Sequence, residues 1–79
     1  MTKDKLTEIL EALKAKQNGM KKVLRGETLI ESRAHIERQI STINSICDRL
    51  TFNFNMLPNP QAKEFLSNTI AEAELWIAG

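Results

Sequence analysis

Ile36, Ile40, Ile43, Cys47, Leu50 and Phe54 alternate in steps of four and three through the middle of the chain. That spacing is the seam of a heptad-patterned helix, and Ile46 widens it. A stripe this regular has to be covered by other helices running nearly parallel or antiparallel to it. The covering helices can come from the same chain or from another copy. The fold class that follows is all-α: a small helical hairpin or three-helix protein with a long central helix, built to oligomerise.

The flanking segments fit this reading. Leu6, Ile9, Leu10 and Leu13 recur at helical spacing with Lys and Glu between them. Thr2 is a suitable N-cap, so a first helix is expected over residues 2–17. Asn18-Gly19 tolerates positive φ and is expected to end or bend that helix. Met20, Val23 and Leu24 would continue the same stripe, although residues 22–29 can also be read as two short strands around Gly26. Helix is favoured, because no other strand candidate exists to complete a sheet.

The second helix is expected over residues 28–55. Thr28-Leu29-Ile30-Glu31 has the spacing of a capping box, with a hydroxyl accepting from one backbone N–H and a carboxylate reaching back to the cap. Leu57-Pro58-Asn59-Pro60 ends it, since a residue before proline is pushed out of the α region. Asn59 is a good N-cap and Pro60 loses nothing at the first helical position. A third helix is expected over residues 60–78, with Ala62, Phe65, Leu66, Ile70, Ala73, Trp76 and Ile77 on its apolar face.

At 79 residues the chain has room for one domain, residues 1–79. So small a chain buries a limited share of its surface, and self-association is a usual source of further stability. Eleven basic residues against ten acidic ones argue against a nonspecific polyanion binder, so DNA is a poor partner for it. The one cysteine, Cys47, allows no internal disulfide and fits a reducing, cytoplasmic setting. No apolar run approaches the ~20 residues a membrane span needs.

No catalytic constellation stands out, and the expectation is a protein that is not an enzyme and uses neither cofactor nor metal. His35 and Cys47 lie twelve residues apart on one helix, roughly 18 Å at its rise per residue, and cannot act as a pair. Phosphate-loop, metalloprotease, CxxC and nucleophile-elbow patterns are missing from the sequence. Cys47 at a seam position reads as a small buried hydrophobe, and His35 as a solvated residue beside the seam. Lys21, Lys22 and Arg25 form a basic cluster that reads first as a solvated face, or else as a phosphate corner beside the start of the second helix. Arg38, beside Ile36 and Ile40, carries a guanidinium suited to phosphate recognition, although an interhelical salt bridge is the commoner use. Trp76 reads as core or interface. Phe52 and Phe54, two apart, cannot both be buried on one helix face, so one of them is available to another chain or ligand.

From Ile43 onward the chain resembles a family of phage proteins, the anti-CBASS cyclic-nucleotide sponges. The resemblance rests on Ile43-Asn44-Ser45-Ile46, Leu50, a proline-bearing turn, and Ile70, Glu72, Ala73, Leu75 and Trp76 in the terminal helix. It covers less than half of the chain, and its pattern is mainly hydrophobic spacing. Members are small helical proteins that assemble as homo-hexamers and sequester cyclic di- and trinucleotides between subunits without cleaving them. The resemblance implies a cytoplasmic homo-oligomer of up to six copies that holds messenger phosphates with Arg or Lys. The family's base-stacking tyrosine has no counterpart here, with Ser32 near its place. Cys47 stands where a phosphate-binding lysine is expected, and Asn68 where a threonine is. Asn44 matches the motif directly, and Arg33, Arg38, Lys63 and Asn68 join it as ligand-binding candidates by proximity to the matched stretch. The alternative is a helical inhibitor or adaptor that offers its apolar face to a host protein. A DNA-binding helical dimer ranks below both, because the charge is balanced.

Overall fold

The structure is a computed structural model that describes residues 1–79 and contains three helices and no strand: α1 (Lys3–Gly26), α2 (Ile30–Asn55) and α3 (Pro60–Ala78). None of the helices is long and apolar enough to cross a membrane.

Thr2 caps α1 as expected, its side chain accepting from the Lys5 N–H at 3.2 Å. The helix does not stop or bend at Asn18-Gly19, and residues 20–26 continue it without a break. No residue in the chain adopts a positive φ, so neither Asn18 nor Gly19 is used as a terminator. Gln17 before them is buried and Met20 after them packs on the core. Those contacts outweigh the ~1 kcal/mol that a mid-helix glycine costs relative to alanine.

The start of α2 also departs from expectation. It begins at Ile30 instead of residue 28, and its N-cap, Leu29, has no side-chain cap. The Thr28–Glu31 capping box does not form. Glu27 Oε1 accepts from the Thr28 and Leu29 N–H groups at 3.0 Å, so a carboxylate one position earlier satisfies the backbone of the turn. The α2–α3 junction matches expectation: Asn59 accepts from Gln61 and Ala62 N–H at 2.9 and 3.3 Å, with Pro60 opening the helix.

Consecutive helices run antiparallel. Gln17 on α1 reaches Ile40 and Asn44 on α2, while Arg33 near the start of α2 reaches Leu24 near the end of α1. Arg49 on α2 meets Glu72 on α3 at 3.2 Å. Both side chains of that ion pair are over two-fifths exposed, so it sets register more than stability. The core is built from three four-residue stripes: Leu6, Ile9, Leu13 and Gln17; Ile43, Ile46, Leu50 and Asn53; Ala62, Leu66, Thr69 and Ala73. The buried polar members are satisfied. Gln17 Nε2 donates to Ile40 O at 2.9 Å and Asn44 Oδ1 at 2.6 Å, Asn53 Nδ2 to Arg49 O at 2.9 Å, and Thr69 Oγ1 to Phe65 O at 2.7 Å.

The seam read from the sequence is therefore displaced. Of its members only Ile43 and Leu50 are fully buried, whereas Ile46, a flanking residue in that reading, is fully buried too. Ile36, Ile40, Cys47, Phe54 and the α3 residue Trp76 are half-buried. The reason is that α2 packs against two helices on adjoining faces. Burial peaks midway between them, at 43, 46, 50 and 53. Thr69 likewise takes a core place on α3, while Phe65 and Ile77, expected inside, face out.

Helix length decides the shape. At 1.5 Å per residue α1 and α2 are roughly 36 and 39 Å long and α3 roughly 28 Å. The end of α3 lies beside Lys16, Met20 and Gln39. Beyond it, residues 20–39 form a two-helix tip with no third helix over it. The molecule measures 46 × 20 × 18 Å, with a radius of gyration of 14.1 Å, against about 11.6 Å for a compact chain of this size.

Two substitutions test this packing by urea unfolding followed by circular dichroism. Ile46→Ala should cost about 2–4 kcal/mol, because the cavity would open between three helices. A Cβ added at Gly19 meets nothing within 4 Å, so Gly19→Ala should stabilise the chain by about 0.5–1 kcal/mol.

Candidate functional site

The five ligand-binding candidates are dispersed over the molecule. Arg33 is half-buried, and its Nη1 donates to Leu24 O and Glu27 O, each at 3.0 Å. It thereby adds a second donor to Leu24 O, which already accepts from the Glu27 N–H at 3.2 Å, and supplies one to Glu27 O, with positive charge at the negative end of the helix dipole. Asn44 is exposed, but its Oδ1 is taken up by the buried Gln17. The exposed side chain of Arg38 makes no hydrogen bond or ion pair within the chain, and only its carbonyl is engaged, by Thr42 Oγ1 at 2.9 Å. Lys63 and Asn68 are exposed on α3.

Register shows that these side chains do not form one site. Taking the Arg49–Glu72 pair as level, Lys63 lies nine residues to one side and Arg33 sixteen to the other. At 1.5 Å per residue that is roughly 35–40 Å along the bundle. No cleft in the chain contains more than one of the five.

The clefts are lined by other residues. One, of about 360 Å³, lies at the end of α3 between Lys16, Met20, Gln39, Leu75 and Trp76. Lys16 Nζ donates there to the Trp76 carbonyl, holding the end of α3 against α1. The sequence offered no mark of this role, since Lys16 falls among regularly spaced charges on an amphipathic helix. A second cleft, of about 310 Å³, contains Asn44, Cys47, Lys14 and Asp48. Burial pushes the Cys47 thiol above its ordinary value, Lys14 pulls it down, and Asp48 adds to the rise. That is the reverse of the electropositive setting that makes a cysteine reactive. His35 is exposed, and no group of three or more His, Cys, Asp or Glu side chains has metal-binding geometry.

The surface also exposes large apolar side chains at both ends. At the tip, Val23 is 59% exposed, Leu29 66% and Ile30 84%. At the α2–α3 corner, Phe52, Met56 and Phe65 border a third cleft, with Phe52 63% exposed. Of the pair Phe52 and Phe54, the first is the one left available, and Phe54 packs on the core. Such exposed apolar side chains on an elongated molecule point to a binding partner or to an oligomer.

Two measurements check these assignments. Arg33→Ala should lower stability by about 1–2 kcal/mol, measured by thermal or urea unfolding, because Leu24 O and Glu27 O each lose a donor. Cys47 should alkylate more slowly than free cysteine at neutral pH, since a raised thiol value means less thiolate. Its rate should climb only at alkaline pH, whereas urea-unfolded chain should react like free cysteine at every pH.

Compared with known proteins, the chain matches no family model, no curated protein and no solved structure.

Proposed function

We propose that this chain is a non-catalytic binding protein that works as a homo-oligomer and sequesters a cyclic di- or trinucleotide between its subunits, in the manner of a phage anti-defence sponge. The observation that carries the reading is the dispersal of its candidate side chains along an elongated molecule with apolar ends. A ligand with two or three phosphates needs several cations at once, and neighbouring copies can bring Arg38 of one chain near cations of another. Arg38 supports this role because its guanidinium is exposed and unengaged within the chain, and a guanidinium can bind a phosphate in bidentate fashion. The resemblance of the C-terminal half supplies the ligand class.

A second reading is a helical inhibitor or adaptor that acts on a host protein. The exposed Phe52, Met56 and Phe65 corner favours it, because aromatic anchors flanking a shallow cleft suit a protein surface.

Calorimetry against a panel of cyclic di- and trinucleotides, with mass by light scattering, distinguishes the two. The sponge reading expects a multimer of the 9.0 kDa chain that binds at least one of the panel. Arg38→Ala should weaken that binding at least tenfold and leave the mass unchanged. A chain that ignores every cyclic nucleotide loses this reading. Phe52→Asp should leave nucleotide binding intact under the first reading and abolish host-protein binding under the second.

A further inference from the structure

The end of α3 leaves a groove open between the other two helices. On α1 the positions that line α3 include Ile9, Ala12 and Lys16, and the same helical step continues through Met20 and Val23. On α2 the corresponding wall passes through Gln39 and Ile36. The groove starts at the cleft beside Trp76 and runs roughly 15 Å to the tip, at 1.5 Å per residue over the ten residues beyond Lys16. It is the seat of α3 continued with no helix in it.

We propose that the occupant is the tip of a second copy of this chain, docked antiparallel so that each tip fills the other's groove and the four tip helices close into a bundle. This inference rests on the self-association in the preceding section and names its contact. Two features on the tip single out a second copy. Leu29 and Ile30 stand at the far end, and Ile30 is the most exposed large apolar residue of the chain. Antiparallel docking carries them one groove length, onto the partner's cleft of about 360 Å³, where Met20, Leu75 and Trp76 offer apolar contact beside Lys16 and Gln39. Charge matches as well. The last two turns of α1 carry Lys21, Lys22 and Arg25, whereas those of α3 carry the unpaired Glu74, together with Glu72 already paired to Arg49, and no basic residue. Docking brings the basic end of one copy beside the acidic end of the other, twice, as a twofold contact requires. Val23, midway along the groove, then lies near the twofold axis and faces its own counterpart.

The test uses the full chain and sedimentation equilibrium. The double variant Leu29→Asp with Ile30→Asp retains helix, because acidic residues favour a helix N-terminus. Circular dichroism checks this. It should raise the dissociation constant at least tenfold relative to wild type, whereas Phe52→Asp should leave it unchanged. Val23→Cys in a Cys47→Ala background should form a disulfide-linked dimer under mild oxidation, and Cys47→Ala alone should not. An assembled wild type whose mass survives the double variant, with no Val23→Cys dimer, overturns this docking and leaves self-association standing through another surface. A wild type that stays at 9.0 kDa at every concentration overturns both.

Discussion

The architecture depends on a mismatch of length. α3 is shorter than the two helices it packs on, by about a quarter in each case. Where it reaches, three helices surround Leu13, Ile43, Ile46 and Leu50 and exclude water from them. Where it does not, α1 and α2 have only each other, and a pair of helices cannot enclose the stripe between them. Ile36 and Ile40 continue the same apolar row as Ile43 and are left half-covered. Full burial of aliphatic side chains is the main favourable contribution to a fold of this size, so the chain divides into a well-packed body and a thinly packed tip.

Polar groups specify how the body is assembled. Gln17 occupies a core position on α1 and ties it to both the backbone and a side chain of α2. A buried amide left unpaired is costly, so sliding α1 along α2 would penalise every register but this one. Arg33 clasps the end of α1 and Lys16 the end of α3. Two of the cations that a binding protein could aim at a ligand are thus spent on helix ends. This is why a count of basic residues says little about where an anion would sit.

Function in such a molecule has to come from surfaces. The chain has no enclosed cavity. Its clefts are shallow, and two of them fall where helices end, at the terminus of α3 and at the turn between α2 and α3. Both are bordered by exposed apolar side chains. On the proposed reading, a site with several cations and an apolar floor is assembled where copies meet, and assembly is then part of binding.

Local order was largely legible in the sequence: the all-α class, the Thr2 and Asn59 caps, the helix over residues 60–78, and one of Phe52 and Phe54 left outside. These follow from periodicity and capping chemistry, which act over a few residues. What the sequence could not reveal is governed by contacts between distant segments. α1 passes through Asn18-Gly19 because flanking residues pack against α2, and the Thr28 cap yields to Glu27 in the turn that α1 and α2 share. The seam moved from Cys47 and Phe54 to Ile46 and Asn53 because burial depends on where two neighbours lie, and a one-dimensional pattern records only that a face is apolar. The dispersal of Arg33, Arg38, Asn44, Lys63 and Asn68 was hidden for the same reason. Spacing along a helix is set by the chain, but distance between helices is set by register, and only the packed bundle decides it.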